Sequence, residues 1–154
     1  QLGRIVHPLV IQRPALFHSK VSWQRRALDH QRMHDAAQLL LGERDFSAFR
    51  AASCQSSTPM RNVHSLRVSR LGDLVVVDIK ANAFLHHMIR NIMGCMVTIG
   101  QGFQTPEWMA EVIESKRRDA AAPTFSPDGL YFQGPVYEPK WGLPSTTPPF
   151  HWLP

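Results

Sequence analysis

Cysteine is nearly missing from this 154-residue chain, which contains only Cys54 and Cys95. They form no CxxC pair, so a zinc site built on them is not expected. Two thiols in a chain of this size fit a reducing compartment, each acting as a small buried hydrophobe. Long apolar runs are missing too. The longest near the middle, Leu74 to Val77, is a strand's worth, far short of the roughly 18 residues a membrane helix needs. No signal peptide is visible, and the chain opens at Gln1 without an initiator Met, which reads as a shortened piece of a longer protein. The expectation is a cytoplasmic protein with no membrane partner. Neither a GxGxxG nor a P-loop nor a G-x-S-x-G string occurs, which removes the usual warrants for hydride transfer, nucleotide hydrolysis and serine-esterase chemistry. Eight His residues are scattered, with one adjacent pair at His86 and His87. No carboxylates or further His stand at ligand spacing, so structural histidines are favoured over a metal centre.

Acidic residues are outnumbered as well. Seventeen Lys and Arg against twelve Asp and Glu give a net charge of +5, which favours an anionic partner. Thirteen of the seventeen are Arg, and Arg offers a planar fork for phosphate and a face for stacking on bases, which Lys lacks. Nucleic acid is therefore preferred to a membrane surface. A 44% hydrophobic and 19% charged composition is that of a soluble globular domain with a real core.

Along the chain, residues 1–28 carry Pro8, Pro14 and mixed polarity, and read as an irregular segment with at most one short strand. Asp29 is placed as the N-cap of a helix whose apolar side is Met33, Ala36, Ala37, Leu40 and Leu41, with Gly42 closing it. Residues 45–59 are polar and Ser-rich. Residues 61–70 fit a strand imperfectly through Val63, Leu66 and Val68. Gly72-Asp73 is a two-residue hairpin turn, and Leu74 to Ala81 returns with Val75, Val77 and Ile79 on one face. A helix is expected from Phe84 to Ile99, ended by Gly100 and Gly102. A second should start at Thr105 and Pro106 and reach Arg118. A last strand spans Leu130 to Tyr137, before a Pro- and aromatic-rich tail over 139–154. The order implies an α+β fold, a mostly antiparallel sheet flanked by helices. An open sheet face is a common docking platform for RNA.

The informative stretch runs from Lys80 to Gly94. A strand ends at Ala81, Asn82 is placed as the cap of the next helix, and the opening turns carry His86, His87 and Arg90. His86 and Arg90, four apart, would share a face. Arg90 stands among Met88, Ile89, Ile92 and Met93, and a partly buried Arg is costly unless an anion meets it. No acidic residue stands at helical spacing from it.

The string from Ala81 to Gly94 closely resembles the F-x-H-H-M-V-R-N-I-V-G signature of TruA-type pseudouridine synthases. Its flanks agree: Asp45-Phe46-Ser47-Ala48-Phe49-Arg50 resembles the family's D-F-[TS]-[SA]-F segment, Ser57-Thr58-Pro59 with Arg61 and Val63 its next landmark, and Gly129-Leu130-Tyr131-Phe132 its last. The resemblance runs from about Leu28 to Tyr137, giving a domain over 29–138 after an irregular 1–28 at the cut edge of the fold. It implies a pseudouridine-synthase-like half and an isomerase converting uridine to pseudouridine in the tRNA anticodon arm, with no metal or organic cofactor. It implies tRNA and the N-terminal half of the same protein as partners, and a homodimer. Arg90 matches the Arg that pairs with the catalytic Asp, and Leu130 the apolar residue packed against the target base. His86, His87, Arg61 and Arg50 are candidate RNA contacts. The Asp itself belongs to a G-R-T-D-A-G-V-H-A motif that this sequence does not contain, so the chain alone is expected to be inactive.

Plainer readings stand beside these. Arg90 could form a structural salt bridge with Asp78 or Asp119, and His86 and His87 could be structural. Phe46, Phe49 and Phe84 are better as core than as stacking platforms. Arg61, Arg67 and Arg70 fit a solvated strand nearly as well as a phosphate track, and Arg117 and Arg118 suit a helix's negative end. A non-catalytic RNA-binding module and a dimerisation half are the alternatives to the enzyme.

Overall fold

The computed structural model describes residues 2–10, 20–136 and 139–142. Within them the elements run β1 (Leu2–Val10), β2 (Ser22–Trp23), α1 (His30–Gln38), β3 (Gly42–Asp45), β4 (Met60–Leu71), β5 (Leu74–Ala81), α2 (Met88–Gly100), α3 (Trp108–Ser115) and β6 (Tyr131–Val136), with short 3-10 turns at Ser47–Phe49, Arg118–Ala120 and Pro139–Trp141. The fold is α+β, as the sequence implies. One sheet runs in the order β2-β1-β5-β4-β3, with β6 also paired to β1. All its pairings are antiparallel except β1 with β2.

The β4–β5 hairpin is where the sequence puts it. Leu71 faces Leu74 across Gly72-Asp73, and Gly72 takes φ 59°, a conformation open to glycine. Val75, Val77, Ile79 and Ala81 are buried on one face. The imperfect pattern of β4 has a physical cause: the register slips between Val63 and Ser65, a bulge at His64. One extra residue lets Val63 and Leu66, three apart, both point inward.

The expectation of an irregular 1–28 is overturned at both ends of that segment. β1 lies inside the sheet, pairing with β5 from Gly3↔Ala81 to Val10↔Leu74 and with β6 over Leu2 to Val6. β2 joins it at Leu9 and Val10. Pro8 falls between the β6 and β2 pairings, where β1 has one neighbour among the described residues and a missing N–H is tolerated. Pro14 and the tail beyond residue 142 lie outside the described residues.

α1 and α2 cover the Val75/Val77/Ile79 face. Asp29 caps α1 as expected, its Oδ1 accepting from the N–H groups of Gln31 (3.0 Å) and Arg32 (3.1 Å). The helix stops at Gln38, however, and Gly42, at φ 85°, is the left-handed entry to β3 rather than a helix cap. β3 itself, paired with Met60 to Val63, has no apolar pattern to announce it. α2 is buried along nearly its whole length, and two glycines explain how closely it packs. A Cβ at Gly94 would lie 2.3 Å from the Pro123 carbonyl oxygen, and one at Gly100 2.7 Å from the Met33 sulfur. α3 begins after a 3-10 turn through Thr105 to Glu107 and ends at Ser115, short of the expected Arg118, because Lys116 turns left-handed at φ 56°.

Candidate active site

Between β5 and α2 the backbone does not go straight into helix. Asn82 does not cap α2. Its Oδ1 accepts from Ala83 N–H (2.8 Å) and from Asn62 N–H (2.9 Å), closing the end of the hairpin. A turn closed by Met88 N–H donating to the Leu85 carbonyl (3.0 Å) passes through His86 and His87, and α2 starts only at Met88, after His87 takes the left-handed conformation at φ 60°. His86 and His87 therefore precede the helix rather than lying on its face. Their rings lie against each other at a tilt of 41°, with centroids 4.0 Å apart.

The turn places His87 against Arg90. Arg90 Nη1 lies 3.3 Å from His87 Nε2. Burial, followed by the neighbouring His86 and Arg90, pushes the His87 pKa below its ordinary 6.5. The neutral ring this favours can accept the Arg90 N–H. On the other side, Arg90 Nε donates to the Phe125 carbonyl at 2.7 Å, and Phe125 N–H returns a bond to the Arg90 carbonyl at 3.1 Å. No described carboxylate pairs with Arg90. Asp119 holds Arg117 at 2.6 Å. Asp78 alternates with the buried Val77 and Ile79, so it faces away from α2. The guanidinium is thus half-buried and held by two neutral acceptors, with Nη2 unbonded among the described residues.

The Phe125 carbonyl belongs to a segment with its own supports. Asn91, 1% exposed, donates from Nδ2 to the Phe49 carbonyl (2.8 Å). Its Oδ1 accepts from Thr124 Oγ1 (2.7 Å) and Arg118 Nη2 (3.0 Å). Arg118 Nη1 also donates to the Ala122 carbonyl at 2.9 Å. Arg118 is therefore turned inward, not spread over the end of α3. Asn91 stands in the signature string, but nothing in its spacing reveals this network; Thr124 carries no pattern, and Arg118 reads only as a cation suited to a helix's negative end.

Leu130 stands immediately before β6 and, partly buried, packs against the core. The loop before it is tied to the N-terminal segment on both sides, by Ser22 Oγ donating to the Asp128 carbonyl (2.6 Å) and Tyr131 Oη to the Lys20 carbonyl (2.9 Å). Two residues on, Phe132 is exposed, and a Cβ at Gly3 would meet both the Phe132 ring (3.3 Å) and the Phe84 ring (2.7 Å). Glycine at position 3 thus leaves room over β1 for both the aromatic of the signature and the aromatic of the last landmark.

Arg50 and Arg61 are spent on protein groups. Arg50 Nη2 donates to the carbonyls of Cys54 (3.0 Å) and Ser56 (2.6 Å). Arg61, only 8% exposed, donates to the Thr58 and Met60 carbonyls and to Ser56 Oγ. Together they wrap residues 54–60 into a fixed loop. His86 closes it: its carbonyl accepts from Ala51 N–H (3.1 Å), and its Nδ1 lies 3.2 Å from Ser53 Oγ. Of the expected RNA contacts, His87 touches Arg90, and His86 lies against His87. Phe46 and Phe49 are fully buried core residues. Among the described residues no group of three or more His, Cys, Asp or Glu could hold a metal, and no helix is long and apolar enough to cross a membrane.

Comparison with known proteins decides what this arrangement belongs to. The family model described as tRNA pseudouridine synthase matches residues 36–138. The chain belongs to that family. It is 51% identical over 156 residues to the tRNA pseudouridine synthase A of Acidovorax sp. (strain JS42), covering 92% of this chain and 57% of the relative. The tRNA pseudouridine synthase A of Polaromonas naphthalenivorans is 55% identical over 146 residues, covering 92% of this chain and 55% of the relative. That of Dechloromonas aromatica is 50% identical over 139 residues, with 90% and 53% covered. The chain thus spans little more than half the length of these curated relatives.

Proposed function

We propose that the full-length protein of which this chain is part isomerises uridine to pseudouridine in the anticodon arm of tRNA, and that this chain supplies Arg90 to the active site. The reaction breaks the N1–C1′ bond of uridine, joins C5 to C1′, and releases the C5 hydrogen as a proton. It needs a carboxylate held ionised beside the detached base. A guanidinium fork does this by charge-assisted hydrogen bonding, which favours the ionised form. Leu130 contributes apolar wall against the flipped base and limits water there. The family resemblance supplies the remaining terms: an Asp from the protein's other half, a homodimer, and a cytoplasmic setting.

One observation carries the reading. Arg90 is held in a single orientation by Phe125 and His87, yet none of its described partners is an anion. The test is Arg90→Ala in the full-length protein, followed by release of tritium from C5-labelled uridine in tRNA. A rate loss of about a hundredfold or more is expected from losing a preorganised electrostatic contact, with the melting curve and most tRNA affinity kept. A folded Arg90→Ala enzyme turning over near the parent rate would make Arg90 merely structural.

A further inference from the structure

We propose that Asn91, Thr124 and Arg118 are positioning residues for Arg90: they fix the segment 121–125, whose Phe125 carbonyl sets the plane of the guanidinium. The inference rests on the function proposed above for Arg90. An Arg side chain has several free torsions, so α2 fixes where Arg90 begins but not where its fork points. Two contacts supply that direction, and the shorter is Nε to the Phe125 carbonyl at 2.7 Å. That carbonyl lies in irregular chain, between the 3-10 turn at Arg118–Ala120 and β6. No ladder of strand or helix hydrogen bonds locates it.

What locates it is side-chain chemistry. The buried Asn91 carboxamide points its nitrogen at the Phe49 carbonyl, which leaves its oxygen to collect Thr124 Oγ1 and Arg118 Nη2. Arg118 Nη2 also reaches Thr124 Oγ1 at 3.0 Å, closing a ring of three polar groups. Arg118 Nη1 holds the Ala122 carbonyl, the Cys95 sulfur accepts the Ala122 N–H at 3.3 Å, and Gly94 lets the Pro123 carbonyl lie against α2. Ala122, Thr124 and Phe125 are thereby bonded to α2 or to Arg118, and Pro123 lies close against α2. Phe125 then exchanges two backbone-directed bonds with Arg90. Asn91 directly follows Arg90 in the chain, so one turn of helix carries both the functional side chain and the anchor for what aims it. A displacement of the order of 1 Å at a group aligning reactants can cost about a hundredfold in rate, so a loosened carbonyl should register in turnover.

Thr124 is exposed and allows a test with little risk to the fold. In the full-length protein, Thr124→Val deletes the hydroxyl at nearly constant shape, and Thr124→Ser restores it. Thr124→Val should lower kcat about tenfold with KM for tRNA unchanged, and Thr124→Ser should return to near the parent value. Arg118→Lys, which keeps the charge but loses the fork, should lower kcat in the same way and guards against a Thr124→Val protein that melts early. Parent kcat in folded Thr124→Val and Arg118→Lys would overturn the inference, as would equal losses in the Val and Ser variants. Arg90→Ala is run in parallel. If it is inactive while Thr124→Val is parent-like, only the positioning role falls; if Arg90→Ala keeps the parent rate, the reading of the site itself falls and takes this one with it.

Discussion

Arg90 sits in a helix whose neighbours Met88, Ile89, Ile92 and Met93 are all buried, and a cation there must be compensated or reach water. The compensation in this chain is a carbonyl and an imidazole, both neutral. Two hydrogen bonds fix geometry without cancelling charge, so the local field still favours an anion at Nη2. Lys at this position would keep the charge and lose the fork, so Arg90→Lys should restore only part of what Arg90→Ala removes in the same tritium-release assay. His87 makes the pair sensitive to acid. Its folded pKa is lowered by burial and by its two neighbours, so the unfolded chain binds the proton more readily. Its contribution to stability is present above the ordinary 6.5 and is lost as pH falls from there through the lowered value. Protonation would also turn the acceptor into a second cation facing Arg90. The melting temperature of the parent should therefore fall more steeply below neutral pH than that of His87→Asn, since Asn tolerates the left-handed backbone and carries no proton switch. Parallel melting profiles for the two proteins would remove His87 from the account. The identities of Arg90 and His87 were legible in the sequence; the left-handed turn that brings them together was not, because no residue in Phe84–His87 carries a turn signature.

Elements divide along the same line between local and distant causes. The β4–β5 hairpin and the cap of α1 depend on residues within a few positions of each other, and both were readable. β1 depends on pairing with β5, some seventy positions away, and strand preference is governed by such neighbours more than by the strand's own residues. The loop 50–60 shows the converse. Arg50 and Arg61 were candidate RNA contacts by resemblance, and what the sequence does not announce is that a carbonyl-rich loop without regular structure has acceptors to fill, and they fill them. Gly94 is the element-scale counterpart. It reads as one more small residue in an apolar helix, yet it sets how closely 122–125 can lie against α2. Backbone meets backbone there, so a methyl group cannot be absorbed by a rotating side chain. Gly94→Ala should destabilise the protein by about 1 to 3 kcal/mol, the usual cost of overpacking. It should also reduce turnover by pushing the Phe125 carbonyl off Arg90. Denaturant titration alongside the activity assay checks both, and an Ala variant of parent stability would show that the two segments have room to part.

At the scale of the whole molecule, the role proposed for Arg90 requires a carboxylate to meet it. The chain has twelve Asp and Glu, and several are already engaged. Asp29 caps α1, and Asp35 takes the Gln31 amide at 2.8 Å. Asp45 accepts from Ser47 N–H and lies 3.7 Å from Lys116. Asp119 holds Arg117, and Asp128 takes the Ser126 hydroxyl. Asp78 projects from the far face of β5, Glu138 lies outside the described residues, and no described carboxylate reaches the Arg90 guanidinium. No stretch of the sequence matches the family's Asp-bearing motif either. These 154 residues by themselves are therefore expected to give no pseudouridine on any tRNA, even at high concentration and with a folded, monodisperse sample. Adding the family's Asp-bearing half, covalently or as a separate chain, should restore turnover if the two surfaces still meet. The same tritium-release assay reads both experiments. Turnover by the chain alone would mean that a carboxylate within it swings to Arg90, and the first to substitute would be Glu138, the acidic residue whose position is not described.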